Sequence, residues 1–352
     1  MEKTVLLGKK LQEVQNLIVA MGEKKFRAEQ IVKGLWAGLS FSEITGLPSA
    51  LRARLSEEFI DLPTKIIKTL KSADGTEKFL FRLCDGQLIE GVLMKYKYGN
   101  TQCVSTQVGC RMGCKFCAST LSGLIRNLTA GEIAAQIYTV NRLIGGNLNE
   151  RAVTNVVLMG SGEPLDNYDN VLDFLRNISS ADGLNISQRN ISLSTCGIVP
   201  KMRELADAGV SVNLTVSLHD PFDKTRAELM PVANAYSVKN ILDACSYYFE
   251  KTGRRYIFEY SLVRGKNDTK ECADELIRLL RGRPCHVNLI RLNEVKERNL
   301  LATTDKNAYS FLKILERGGL SATVRRQIGA DIDGACGQLR VKFLADNKEG
   351  NF

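Results

Sequence analysis

Cys110-Arg111-Met112-Gly113-Cys114-Lys115-Phe116-Cys117 spaces three thiols as Cys-x3-Cys-x2-Cys. On one tight loop that spacing presents three thiolates to three irons of a four-iron cluster and leaves the fourth iron open. A structural zinc knot is the competing reading. Zinc in such a site takes four ligands, and the chain adds only His219 and His286 to its other cysteines, so the ligand count favours iron.

Outward from this loop, short β-rich runs alternate with amphipathic helical stretches. Residues 153–159, 190–194, 212–217, 257–263 and 286–290 have the composition of strands, and residues 130–143, 171–178, 201–208, 238–250 and 270–280 have the periodicity of helices. The alternation predicts an α/β domain on a parallel sheet. Small or polar residues follow the apolar runs directly: Gly160-Ser161-Gly162-Glu163-Pro164, Ser194-Thr195-Cys196-Gly197, Ser217-Leu218-His219 and Leu292-Asn293. In a β/α barrel that edge carries the active site. Gly160 and Gly162 let the backbone approach a ligand, and Glu163 can accept from an ammonium or a ribose hydroxyl. By itself such a run is also an ordinary strand-end turn.

Upstream, Leu11, Val14, Leu17, Ile18 and Met21 recur at helical spacing and stop at Gly22, and Leu51, Leu55 and Phe59 repeat the pattern after Pro48. Residues 66–71, 78–83 and 88–94 then read as strands separated by the turn pairs Asp74-Gly75 and Asp85-Gly86. The expected organisation is an N-terminal helical module (1–62), an antiparallel β meander (63–99), the barrel domain (100–340) and a tail (341–352).

Composition narrows the class of protein. An apolar share of 44% and a charged share of 25% suit a soluble globular chain. No apolar run approaches the roughly 18 to 20 residues that span a bilayer. Lys9, Lys10 and Glu13 interrupt any secretory apolar core, so no membrane association is expected. Ten cysteines without an export signal point to thiols kept reduced in a cytoplasm. A net charge of +9 favours a polyanionic partner, with solubility charge as the alternative. Lys95-Tyr96-Lys97-Tyr98, with Lys65, Lys68 and Lys71, suits phosphate gripping and base stacking, and suits a solvated face equally.

Phe116 before the last cysteine of the loop resembles the signature of radical S-adenosylmethionine (SAM) enzymes. Cys103 lies upstream of it, and the C-terminal run Asp331-Ile332-Asp333-Gly334-Ala335-Cys336-Gly337-Gln338-Leu339 adds a remote thiol. With the helical start and the barrel pattern, these features resemble the RlmN/Cfr family of radical SAM RNA methyltransferases over nearly the whole chain. The resemblance implies an α/β fold with a radical SAM partial (β/α)6 barrel. It implies one [4Fe-4S] cluster per chain on Cys110, Cys114 and Cys117, and SAM held by Gly162, Glu163, Ser194, Ser217, Leu218, His219 and Asn293.

It further implies that Cys336 takes a methyl from one SAM, that a second SAM supplies a radical, that Cys103 resolves the RNA adduct by forming a disulfide, and that Glu90 is the base. From their surroundings alone Glu90 is equally a solvated strand carboxylate and His219 a satisfied core histidine. Cys103 and Cys336 are equally small buried hydrophobes, a role that better suits Cys84, Cys245, Cys272 and Cys285 in apolar periodic runs. The expected activity is methylation of adenine C2 in 23S rRNA and in tRNA beside the anticodon, by a monomer served by a reducing protein such as flavodoxin or ferredoxin. Ser161, Cys196 and Arg291 depart from the pattern of the C2 enzymes, and Ile290-Arg291-Leu292-Asn293 leans toward the branch that methylates C8.

Overall fold

The computed structural model describes residues 3–147, 150–295 and 297–332. Strand β1 (Thr4–Val5) precedes three short helices, α1 (Leu11–Ala20), α2 (Arg27–Trp36) and α3 (Ser49–Glu58). Each helix buries residues four apart, Val14 with Ile18, Ile31 with Leu35, and Leu51 with Leu55. The helical pattern after Pro48 does not carry to Phe59. That residue opens β2 (Phe59–Ile60), which pairs in parallel with β1, because the extended chain there gains a strand partner.

The meander forms as its turns require. Strands β3 (Thr64–Lys71), β4 (Glu77–Leu83) and β5 (Leu88–Tyr96) pair antiparallel, and Gly75 (φ +84°) and Gly86 (φ +80°) take the left-handed conformation at the two Asp-Gly turns. A further strand, β6 (Gly99–Cys103), carries too few apolar residues to be seen in the sequence. It pairs antiparallel with β5 and parallel with β9 (Val153–Leu158), joining the meander to the parallel strands. Between β6 and β9 lie the hairpin β7 (Gln107–Gly109) and β8 (Leu124–Asn127), and helix α4 (Ala130–Leu143), capped by Thr129 and Glu132.

The remaining elements are α5 (Tyr168–Ile178), β10 (Ile191–Thr195), α6 (Val199–Asp207), β11 (Asn213–Ser217), α7 (Asp223–Leu229), α8 (Val238–Thr252), β12 (Tyr256–Leu262), α9 (Lys270–Leu280), β13 (Cys285–Arg291), α10 (Asp305–Arg317) and β14 (Ala322–Val324). One sheet of ten strands runs β14-β13-β12-β11-β10-β9-β6-β5-β4-β3, with β6 and β9 to β14 parallel. This is the mixed α/β architecture expected from the sequence.

Alternation along the strands divides the sheet's faces. Leu193, Leu214, Val216, Phe258, Tyr260, Val287 and Leu289 join the main core. The residues between them, among them Ser192, Ser194, Thr215, Ser217, Glu259 and Asn288, face the opposite, inner side. Glu90, Val92, Met94 and Cys103 share that inner side, since Val92 pairs with Cys103 and Ile89 and Leu93 belong to the core. None of the described helices is long and apolar enough to cross a membrane.

Candidate active site

The β7–β8 hairpin presents the three cysteines. Gly109 (φ +80°) turns the chain so tightly that an added Cβ would lie within 2.0 Å of the Gly123 carbonyl, which accepts from the Cys110 N–H at 2.9 Å. The Thr120 hydroxyl donates to the carbonyls of Cys114 (3.2 Å) and Cys117 (2.9 Å). Lys115 N–H donates to Leu229 O at 2.9 Å, tying the loop to the end of α7. Among the described residues no three His, Cys, Asp or Glu side chains stand in a ready-made coordination shell. Burial pushes the Cys110 thiol up to about 12 and raises Cys114, with the neighbouring Cys117 adding to both shifts. Buried thiols that feel one another become thiolates only around cations, and the soft donors on this loop fit the irons of a cluster.

The glycine-rich end of β9 lies against the start of this hairpin. Ser161 O accepts from the N–H groups of Thr106 (2.9 Å) and Gln107 (3.1 Å), and a Cβ on Gly162 (φ +105°) would meet Gln107 at 2.6 Å. The two segments are thus packed against each other at this edge of the sheet. Gln107 Oε1 accepts from Glu163 N–H at 2.9 Å. The Glu163 side chain, buried, accepts from Leu165 N–H (3.0 Å) and Cys196 N–H (2.7 Å), so it links the ends of β9 and β10. Burial holds its carboxyl above the usual range although these hydrogen bonds pull it down.

Arg226, which no sequence pattern marked, organises the next two strand ends. Wholly buried, its guanidinium donates to the carbonyls of Leu218 (2.9 Å), Cys196 (2.8 Å) and Ser217 (3.1 Å). His219 adopts φ +57°, a left-handed conformation rare outside glycine. Its Nδ1 accepts from Ser261 N–H at 2.9 Å and its carbonyl accepts from Asn267 Nδ2. Burial lowers His219 to about 3, so the ring is neutral with its proton on Nε2. The ring meets Phe116 of the cysteine loop edge-on, with centroids 4.6 Å apart.

Ser194 and Ser217 stand half-buried at the inner ends of β10 and β11, and Asn293 is exposed beyond β13. Leu218 sends its side chain into the main core, and its N–H and carbonyl are engaged by Glu259 O and Arg226. Of the three departures from the C2 pattern, Arg291 pairs with Asp305 at the start of α10 (2.6 Å). Ser161 and Cys196 are buried.

Glu90 is no solvated strand carboxylate. It is buried on the inner face and ion-paired at 3.0 Å with Lys78, itself 0% exposed. Cys103 packs with Val92, Met94, Val157 and Met159, and of these Met94, Val157 and Met159 line a cavity of about 240 Å³. Lys78 lies in the Phe-Leu-Phe strand β4, and only the strand register shows that it faces Glu90.

No disulfide joins the described cysteines to one another. Cys336 and residues 333–352 lie outside the described residues. The approach to them is held by the β3–β4 turn, where the Asp331 carboxylate accepts from Ser72 and from Ala73 N–H (3.1 Å) and Asp74 accepts from Gly329 N–H (3.0 Å). In the basic and aromatic patch, Tyr96 and Tyr98 stack with centroids 4.8 Å apart. Lys95 and Lys71 both turn to Glu77.

The model of the radical SAM superfamily matches residues 104–280. That of the ribosomal RNA large subunit methyltransferase N-terminal domain matches residues 4–60. A probable dual-specificity RNA methyltransferase RlmN of Lachnoclostridium phytofermentans is 52% identical over 97% of this chain and 96% of its own length. The protein of the same name from Clostridium perfringens strain SM101 is 54% identical over 95% and 96%. A crystal structure of a radical SAM methyltransferase from Sphaerobacter thermophilus superposes with a TM-score of 0.87 at 41% identity, covering 95% of this chain and 98% of that one.

Proposed function

Because the chain belongs to the RlmN family of radical SAM RNA methyltransferases, we propose that it methylates C2 of an adenosine in 23S rRNA and of the adenosine beside the tRNA anticodon. The observation that carries this reading is 52–54% identity, over nearly the full length, to relatives named probable dual-specificity RNA methyltransferase. It is supported by the inner-face position of Cys103 and Glu90 in the same sheet as the strand ends packed on the cysteine loop.

Cys110, Cys114 and Cys117 would hold the cluster, which with SAM bound supplies one-electron cleavage of the sulfonium and hence a hydrogen-abstracting radical. Ser194, Ser217, Asn293 and the Gly162-Glu163 turn would line the SAM site, with Leu218 and His219 shaping its wall. The chain's own thiols do the rest. Adenine C2 is a poor nucleophile, whereas the Cys336 thiolate is an able acceptor of the SAM methyl. Once that carbon is joined to adenine, Cys103 attacks the Cys336 sulfur. Before that attack Glu90, oriented by Lys78, takes the proton at C2 and the adduct gives up its unpaired electron, which would return to the cluster. The carbon–sulfur bond then breaks with its electron pair left on the methylene carbon, which takes up a proton to become the methyl group, and a disulfide forms as the methylated base is released. A flavodoxin- or ferredoxin-like protein as electron donor and a cytoplasmic monomer complete the proposal.

The test is the pair of thiol variants. Cys336→Ala is expected to accept no methyl, and Cys103→Ala to accumulate a covalent protein–RNA adduct. Free methylated RNA at the normal rate from either variant contradicts the two-thiol scheme.

A further inference from the structure

Two buried polar atoms have no hydrogen-bond partner among the described residues and belong to residues that line the same cavity: Glu259 Oε2 and Thr215 Oγ1. Glu259 is 4% exposed and Thr215 0%. The other Glu259 oxygen receives Asn288 Nδ2 at 3.3 Å and lies 4.0 Å from Arg325. Leaving a buried carboxylate oxygen unpaired is costly, so a ligand supplying a donor there would relieve it.

The cavity's position says which ligand. Its walls include Met94, Val157 and Met159, the residues packed on Cys103. On β10 and β11 it is lined by Ser192 and Thr215, one inner-face step below Ser194 and Ser217 at the strand ends where SAM is proposed to lie. It therefore sits under the SAM site and beside the resolving thiol, where the acceptor base has to be. Its volume of about 240 Å³ is below the roughly 300 Å³ at which pockets for drug-sized ligands begin, the room of a single heterocycle. At its rim stand Tyr98, 72% exposed and stacked on Tyr96, together with Arg189 and Arg325. These groups suit a flanking base and the phosphates of a strand whose target base is flipped inward.

We propose that this cavity holds the target adenine, with Glu259 Oε2 accepting from its N6 amine and the Thr215 hydroxyl donating to the ring nitrogen beside that amine. Glu259 and Thr215 are diagonal neighbours on the inner face, since Ser217 pairs with Glu259 and Thr215 with Ile257, so the two can read adjacent atoms of one edge. Guanine turns an acceptor, O6, toward the carboxylate where adenine turns a donor, and the pair thereby selects adenine. The inference rests on the assignment of the chain as an adenine methyltransferase.

The experiment compares methyl transfer by the reconstituted holoenzyme to stem-loop RNAs carrying adenosine or purine riboside, which lacks only the N6 amine, at the target position. Wild-type kcat/KM is expected to favour adenosine by roughly ten- to a hundredfold, the worth of one hydrogen bond to a charged group. Glu259→Ala is expected to bring the ratio close to one, and Glu259→Gln, which keeps an acceptor, to retain most of it. Methylation of Cys336 in the absence of RNA, followed by intact mass, reports SAM use and folding separately. An unchanged ratio in Glu259→Ala, or a loss of RNA-free Cys336 methylation that parallels the loss on RNA, overturns the inference. Failure of the wild-type protein to methylate any RNA would instead remove the proposed activity and the inference with it.

Discussion

The Lys78 ammonium stands 3.0 Å from a Glu90 carboxylate oxygen, and both side chains are withdrawn from water. Breaking such a pair from one side strands a buried charge, which typically costs about 3–5 kcal/mol. Lys78→Met is therefore expected to destabilise the protein by about that much in denaturant unfolding. The double variant Lys78→Met/Glu90→Gln should recover a large part of the loss. Both proteins should be impaired in RNA methylation, because the proposed base is misplaced in one and absent in the other.

His219 makes stability depend on pH. Its ordinary value of 6.5 falls to about 3 in the folded chain through burial, with Arg226 adding to the effect. The unfolded chain thus binds a proton that the folded chain refuses, and the contribution of His219, complete above about 6.5, is lost progressively as pH falls toward 3. At pH 5 the loss is about 2 kcal/mol relative to pH 7 or above, by the same linkage. His219→Asn tolerates the left-handed backbone and offers Ser261 an acceptor. Denaturant unfolding at pH 7 and pH 5 should show it losing about 2 kcal/mol less than wild type between the two.

Arg226 joins the carbonyls of Cys196, Ser217 and Leu218 with one wholly buried guanidinium. Arg226→Met leaves those carbonyls without this donor, at about 1–3 kcal/mol for each that stays unsatisfied. It is expected to lower the unfolding midpoint and to weaken SAM binding measured by equilibrium dialysis. Arg226→Lys should fall between, because an ammonium cannot span three carbonyls in the plane of the fork.

Gly109→Ala tests the cysteine hairpin. With φ at +80° and the Gly123 carbonyl within 2.0 Å of any Cβ, the turn has no room for a methyl. The Cys110 N–H bond to that carbonyl should open, and iron bound per chain after anaerobic reconstitution should drop well below the wild-type content.

What the sequence made legible is what local chemistry dictates. The two Asp-Gly turns, the helical periodicity of α4, and the three cysteines on one loop each announce themselves within a few residues. Glu163 was visible as a residue at the site, but not that Leu165 and Cys196 already occupy its oxygens. Strand β6 has no signature in the sequence because Asn100, Thr101 and Gln102 give it no apolar run; β5 and β9, pairing on either side, make it a strand. Lys78 and Arg226 could not be read either. Their partners lie across strands or at the ends of distant ones, and a buried charge is defined by its partners rather than by its neighbours in sequence.

The most direct test of the account is nucleoside mass spectrometry of 23S rRNA and tRNA incubated with SAM, a reductant and the anaerobically reconstituted protein. The account predicts 2-methyladenosine in both RNAs. 8-Methyladenosine in its place, or RNA left unmodified by a protein carrying zinc and no iron, would contradict it.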